Sequence, residues 1–321
     1  MDVKIIKELL KDGRKNFSEI AEALEISDSM IWKRFKELED AGIIVGSSIQ
    51  LYYPSIGYNI VGNITFKIEP HLADRTVKYV QKMPNIHSAW LTVGKSQVNA
   101  VATMEQIEGL ENLKERIRKI PSVSDIRTYI WIGIRNIREN LAIVPTKKMP
   151  SKDNVEKNGY VTLYKSEGTK QVDQTDRCII EKLSADGRVS FRKLAKEIGV
   201  STDTIARRYR KLKEKGIVKV SIQLDTAKLG YHGLATFYLA FGSQSDVISV
   251  VEKICTIPDI VLIVQTSGNF DLLVEAMIKD VDQLLSIQDQ LTDMPGVTKT
   301  EMHIIRPIPI FPVFREYIST F

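Results

Sequence analysis

The chain has 321 residues, of which 43% are hydrophobic, and a formal net charge of +5. This length allows two to four globular domains, and no apolar run approaches the roughly 20 residues that span a bilayer. The first residues lack the apolar core of a signal peptide, and Cys178 and Cys255 are far apart, as expected of reduced cysteines in a protein core. We therefore expect a cytoplasmic protein that does not associate with membranes.

Residues 1–53 predict a winged helix-turn-helix. Helical periodicity and capping residues predict three helices, followed by two short strands that form the wing, at 2–11, 16–24, 28–40, 43–45 and 48–52.

Residues 58–140 predict a second kind of domain, because the period of the apolar residues becomes strand-like. The predicted strands and helices follow the order βαββαβ, at 60–68, 71–82, 86–93, 97–104, 106–120 and 123–132. This order is typical of a ferredoxin-like sandwich, with two helices on one face of an antiparallel sheet.

The whole arrangement is then repeated. Asp12-Gly13-Arg14 matches Asp186-Gly187-Arg188 at a shift of 174, and similar matches continue as far as Pro295-Gly296-Val297, so that the repeat covers nearly the whole chain. The second copy predicts a winged helix-turn-helix at 174–226 and a ferredoxin-like domain at 231–315, after a polar linker at 147–173 with a short strand at 160–164. The predicted fold class is α+β, with two winged helix-turn-helix domains alternating with two ferredoxin-like domains.

The second helix-turn-helix has the sequence features of a DNA reader. Gly199 suits a turn with positive φ, Ser201 is a good N-cap, and the helix at 202–215 has an apolar side and a basic side. Such a helix fits the major groove, where its cations suit phosphates and guanine edges. The candidate DNA-binding residues are Ser201, Thr202, Thr204, Arg207, Arg208 and Lys211, with Ser27, Lys33 and Arg34 in the first copy. The alternative is a basic face that only contacts solvent.

The two copies differ in charge. Residues 28–41 contain three basic and four acidic residues, whereas 202–215 contain six basic and two acidic ones. Glu25 stands where the second copy has Gly199, and a left-handed conformation costs a non-glycine residue on the order of 1 kcal/mol. We expect the second copy to provide most of the DNA affinity, with the first a weak reader or mainly a dimer partner. Trp32 is expected to pack in the core or on the surface rather than contact bases.

These motifs resemble the Lrp/AsnC family, in both halves of the chain. The resemblance rests on Asp-Gly-Arg before the second helix-turn-helix, Leu-Ala-Lys-Glu-Ile-Gly-Val-Ser within it, and Lys-Gly-Ile-Val after it. It implies a transcription regulator that binds double-stranded DNA and pairs through its ferredoxin-like domains. Here the pairing would occur within one chain, as a pseudo-dimer, and chains would be able to assemble further into homo-oligomers.

The resemblance also implies an effector site for an amino acid or a related metabolite. Gly268 and Asp271 match the family's glycine-rich turn followed by an aspartate, although Gly268-Asn269 is equally a hairpin turn. The first copy has Gly94 and Gln97 there and lacks the acid.

An enzyme is the main alternative, because some paired relatives of this family are siroheme decarboxylases. The four histidines are scattered, without metal-ligand spacing, and no catalytic constellation is evident. We therefore expect no catalytic residues, no metal site and no cofactor. A metabolite-sensing adaptor that does not bind DNA is a third possibility.

Overall fold

A computed structural model describes residues 1–143, 161–162, 172–305 and 310–312. The helices of these ranges are α1 (Asp2–Lys11), α2 (Phe17–Leu24), α3 (Asp28–Asp40), α4 (Ala73–Val80), α5 (Ile107–Arg118), α6 (Gln174–Ala185), α7 (Phe191–Ile198), α8 (Thr202–Glu214), α9 (Val247–Ile254) and α10 (Val281–Thr292). The strands are β1 (Ile44–Leu51), β2 (Ile60–Lys67), β3 (Ile86–Leu91), β4 (Val93–Gly94), β5 (Val98–Met104), β6 (Ser124–Asn136), β7 (Val161–Thr162), β8 (Val218–Asp225), β9 (Gly233–Phe241), β10 (Ile260–Ser267), β11 (Leu272–Ile278), β12 (Val297–Ile305) and β13 (Ile310–Phe311).

Helices α1–α3 form one helix-turn-helix, which we call head 1, and α6–α8 form the other, head 2. Ser27 and Ser201 cap α3 and α8, each accepting a hydrogen bond from the backbone N–H three residues later. Glu25 has φ 56° and Gly199 has φ 81°. Both residues are left-handed, so the turn that the sequence predicts is confirmed in each head, including the strained position of Glu25.

The segment after head 1 differs from its prediction. Instead of two short strands at 43–45 and 48–52, it forms the single strand β1. This strand pairs antiparallel with β8 of the second copy, from Ile44 opposite Leu224 to Leu51 opposite Val218. The strand that pairs with β1 is thus remote in sequence. The turn residues near β1 therefore could not indicate this pairing.

Each head uses the strand of the other copy to complete its core. Ile49 of β1 packs in the same apolar cluster as Ile179 of α6, and Ile222 of β8 packs with Ile5 of α1. A Cβ on Gly13 would lie 2.8 Å from the backbone of Ser221, so only glycine lets the strand approach this closely. The two heads are therefore packed into one unit.

The ferredoxin-like prediction is confirmed in both copies. The strand orders are β3-β5-β2-β6 and β10-β11-β9-β12, and β6 pairs with β10 to join them in one ten-stranded sheet. Helices α4 and α5 cover the first half through a core that includes Phe66, and α9 and α10 cover the second half through a core that includes Phe237.

Two strand boundaries differ from the predictions because pairing between the copies sets them. The predicted strand at 86–93 is divided, and β4 pairs with β12 of the other copy. Strand β6 continues to Asn136, past the predicted end at 132, since it pairs there with β10. Strand β7 falls within the predicted strand at 160–164 and pairs with β6. Most of the predicted linker 147–173, like residues 313–315, lies outside the described residues.

Candidate nucleic-acid interface and effector site

The outer face of α8 presents three cations that form no ion pair with the part of the chain that the structure describes. Ile205, Tyr209 and Leu212 are buried in head 2, which turns Arg207, Arg210 and Lys211 toward solvent; all three are exposed. No ion pair joins them to any residue in the described ranges. Arg210 was not among the residues singled out from the sequence, although helical spacing from Arg207 places it on the same face.

The polar residues at the start of α8 serve the helix cap. The backbone N–H of Thr204 donates to the Ser201 hydroxyl at 3.1 Å, and the two hydroxyls lie 2.8 Å apart. Ser201 and Thr202 are exposed and Thr204 is half-buried. Ser27 has the same capping position in head 1 and is exposed. The cap thus fixes the direction in which the first turn of α8 points.

The position of Arg208 corrects the picture drawn from the sequence. Its guanidinium turns back onto the first turn of α6, where Nη1 lies 2.6 Å from a carboxylate oxygen of Asp173 and 2.9 Å from one of Asp176. The hydrogen bond to Asp173 raises the pKa of Arg208 and lowers that of Asp173. Arg208 therefore ties α8 to α6 instead of standing free on the outer face.

Arg34 makes the equivalent contact in head 1. Its Nε donates to Asp2 at 2.8 Å, and it also pairs with Glu37. Asp2 and Asp176 match at the same shift of 174 as Arg34 and Arg208. This repeated acid–arginine pair was the sequence signal that both arginines are structural.

Head 1 has few free cations on its outer face. Lys33 is exposed, but Lys36 pairs with Glu39 at 2.6 Å. Trp32 is 57% exposed, so of the two expected locations, core and surface, it occupies the surface. Within the described residues, the outer face of head 1 therefore offers Lys33 as a free cation, whereas that of head 2 offers Arg207, Arg210 and Lys211.

The glycine of the expected effector motif has a structural role. Gly268 has φ +143°, and a Cβ there would lie 3.2 Å from the carbonyl oxygen of Thr128, in β6 of the other copy. A Cβ on Gly94 would likewise approach the carbonyl oxygen of Met302, in β12 of the other copy. Both hairpin tips thus need glycine where the two copies touch.

Asp271 is exposed, and its carboxylate accepts a hydrogen bond from the backbone N–H of Phe241 at 2.8 Å. A cavity of about 490 Å³ opens beside Phe241, at the loop that follows β9 and the turn that precedes β12. Its lining contains Ser245, Ser249 and Lys253, with both hydroxyl and ammonium groups. The hairpin and this cavity therefore lie at the same end of the second ferredoxin-like domain.

The histidines do not converge on one site. His71 is exposed beside Glu69, His87 is buried against Thr103, and His303 is buried with Nε2 3.0 Å from Glu301. Burial lowers the pKa of His87 to about 4. Within the described residues, no three His, Cys, Asp or Glu side chains are arranged to hold a metal ion. No helix there is long and apolar enough to cross a bilayer.

Family models match both kinds of domain. An AsnC-type helix-turn-helix domain matches residues 172–213, and a winged helix-turn-helix DNA-binding model matches 1–45. The Lrp/AsnC ligand-binding domain matches twice, at 63–139 and 235–307.

Two similar curated proteins each correspond in length to about one copy of the repeat. The HTH-type transcriptional regulator FL11 of Pyrococcus horikoshii is 32% identical over 135 residues, which are 42% of this chain and 89% of that protein. The regulatory protein AsnC of Haemophilus influenzae is 29% identical over 141 residues, 43% of this chain and 94% of that protein.

A solved structure matches nearly the whole chain. The siroheme decarboxylase NirDL covers 98% of this chain, and 96% of its own chain is matched, with a TM-score of 0.64 and 14% identity. At this identity the match shows a shared fold.

Proposed function

Because the chain belongs to the Lrp/AsnC family of transcription regulators, we propose that it binds operator DNA mainly through head 2. Ser27 and Lys33 in head 1, and the residues Ser201, Thr202 and Thr204 at the start of α8, would contribute secondary contacts. As a regulator of this type it would act in the cytoplasm, where the chromosome is.

The observation that best supports this proposal is the unpaired basic face of α8. Arg207, Arg210 and Lys211 are exposed and have no partner in the described ranges, so they would neutralise phosphates without first breaking an ion pair. Neutralising a phosphate releases counterions and strengthens binding in a salt-dependent manner. The Ser201 cap and the ties of Arg208 hold this face rigidly on the head.

The two heads would read DNA unequally. They share the β1–β8 ladder and therefore move together, so their separation on DNA is fixed. Within the described residues, head 2 presents three unpaired cations, whereas Lys36 and Arg34 of head 1 are engaged by acids. We infer an asymmetric operator with one strong half-site, rather than a palindrome.

A salt-dependent binding titration tests the proposal. Duplexes selected from a random library would be titrated with wild-type protein and with Arg207→Ala/Lys211→Ala, by fluorescence anisotropy. The double variant is expected to lose at least tenfold in affinity, and its slope of log K against log salt should decrease by about 0.9 for each lost phosphate contact.

Lys33→Ala is the matched control, since Lys33 occupies the position in head 1 that Arg207 occupies in head 2. It should reduce affinity much less. Equal losses from the two heads would contradict the assignment to head 2, and failure to select any duplex would contradict DNA binding itself.

We further propose that an amino acid or related metabolite binds at the end of the second ferredoxin-like domain. Asp271 supplies a carboxylate for an α-amino group, and the nearby cavity contains Lys253, which would suit a carboxylate. The first copy has Gln97 in place of Asp271, so the site would exist in one copy only.

The variant Asp271→Asn distinguishes a role of Asp271 in ligand binding from its role in the structure. An amide oxygen still accepts the hydrogen bond from Phe241, but the negative charge is gone. Calorimetry with a panel of L-amino acids should show binding to the wild type, at least tenfold weaker binding to Asp271→Asn, and no change in the matched variant Gln97→Ala. Heat that is identical in all three proteins would place the ligand elsewhere, and no heat from any amino acid would contradict the proposal.

Siroheme decarboxylation is supported by the shared fold alone, whereas the exposed basic face of α8 supports DNA binding. Turnover of siroheme by the purified chain would favour the enzyme. Retention of selected DNA would favour the regulator over both the enzyme and the adaptor without DNA binding.

A further inference from the structure

The helix-turn-helix of head 1 has a surface unlike that of a DNA reader. Residues 17–40 contain three basic and seven acidic residues, whereas the matching residues 191–214 contain eight basic and three acidic ones. Trp32 lies on this surface with 57% of its side chain exposed, at the position where head 2 has Ala206. The acidic residues repel phosphate, and an exposed tryptophan among them favours a protein contact.

The surroundings of Trp32 indicate what would bind there. Asp28 lies one helical turn before it on the same flank of α3, and it is exposed. Lys36, one turn after Trp32, is engaged by Glu39. The flank therefore offers an indole face beside a carboxylate that has no ion pair within the described ranges. Such a pair suits a guanidinium, which can stack on the indole and donate a charged hydrogen bond to the carboxylate.

The complementary surface is present on the same chain. The outer face of α8 carries Arg207, Arg210 and Lys211, which are exposed and unpaired within the described ranges. The heads are held by the β1–β8 ladder and by contacts of Arg14 and Arg188 across them. In this arrangement both faces remain open to solvent, so each is available to another molecule.

We propose that the flank of α3 bearing Trp32 and Asp28 docks onto the basic face of α8 in a second copy of this chain. The contact joins two different surfaces, so it is a head-to-tail contact, which forms rings or open chains. It uses the same cations as the proposed DNA contact, and this competition is the one part of the inference that rests on the proposed function.

A complementation experiment with two variants tests the contact directly, by sedimentation velocity at low salt without DNA. Trp32→Ala/Asp28→Lys removes the acidic flank and keeps the basic face. Arg207→Glu/Lys211→Glu reverses the charge of two of the three cations of the basic face and keeps the acidic flank. Each variant alone should lose the salt-sensitive association of the wild type, and an equimolar mixture should form a complex of one of each, with a Kd at least tenfold lower than either self-association.

The mixture also controls for folding, because a complex forms only if both variants are folded. Met30→Ala is the matched control, since Met30 is exposed on the opposite flank of α3 and its loss should leave association unchanged. Association that neither variant changes would arise from other surfaces and would overturn the proposal, as would a wild-type chain that does not associate at low salt.

Adding a selected duplex distinguishes failure of this inference from failure of the proposed function. If the contact is correct and head 2 also binds DNA, the duplex should dissociate the wild-type assembly. Association that passes the complementation test but is insensitive to DNA would contradict only the DNA assignment.

Discussion

Arg14 and Arg188 each pack into the head to which the other belongs. The guanidinium of Arg14, in head 1, lies 4.2 Å from the ring centroid of Phe191 in head 2 and donates to the carbonyl oxygen of Gly187 at 2.7 Å. Arg188 lies 5.1 Å from the ring of Phe17 in head 1 and donates to the carbonyl oxygen of Gly13. Burial lowers the pKa of both arginines. The Asp-Gly-Arg motif is therefore a reciprocal connection between the heads.

We expect Arg14→Ala to lower the free energy of unfolding by about 2–3 kcal/mol, because it removes hydrogen bonds to two carbonyls and a cation–π contact. Hydrogen exchange would show lost protection in α7 and α8, in the other head. The control is Lys15→Ala, whose side chain pairs with Glu8 inside head 1. Protection lost only in head 1 would contradict the connection.

Arg208→Ala is expected to lower the free energy of unfolding clearly and to weaken specific DNA binding only slightly. It leaves Asp176, which is 7% exposed, without its guanidinium partner, and the loss should be about 1–2 kcal/mol in urea unfolding. Compared at a temperature where both variants are folded, Arg207→Ala should weaken DNA binding more. A large loss of affinity at unchanged stability would return Arg208 to the DNA interface.

The turns of the two heads should respond oppositely to substitution. Glu25→Gly removes the strain of a non-glycine residue in the left-handed conformation. It should raise the free energy of unfolding by roughly 0.5–1 kcal/mol. Gly199→Ala should lower it by about 1 kcal/mol through φ alone, since no atom lies within 4 Å of the added Cβ. Calorimetric melting of the two variants checks this, and changes of the same sign would contradict it.

The stability of the chain should also depend on Glu275 near neutral pH. Burial raises the pKa of this carboxyl to about 7 from the ordinary value of 4.5, against the opposing charge of Arg138. Because folding raises this pKa, the protonated carboxyl of Glu275 makes its full contribution to the free energy of unfolding below pH 4.5. That contribution is lost as the pH rises through 7. Glu275→Gln should therefore gain about 2–3 kcal/mol over the wild type between pH 4.5 and pH 8. Parallel pH profiles of unfolding free energy in the two proteins would contradict this.

The local features of this protein followed from its sequence. Helix α3 begins and ends as predicted, Ser201 caps α8, and Gly199 takes the predicted left-handed turn. These features depend on residues within a few positions of one another, where capping, φ preferences and helical period act directly. The duplication and the unequal charges of its copies were also evident without coordinates.

Only the tertiary structure showed which contacts join the two copies and which side chains those contacts engage. Strand β1 pairs with β8, Arg14 enters head 2, and Arg208 turns to Asp176. A charge count cannot separate a cation held in an ion pair from one that is free, because the difference depends on which acid lies nearby in space. The sequence alone therefore indicated a basic helix, and packing decided which of its arginines remain available to a partner.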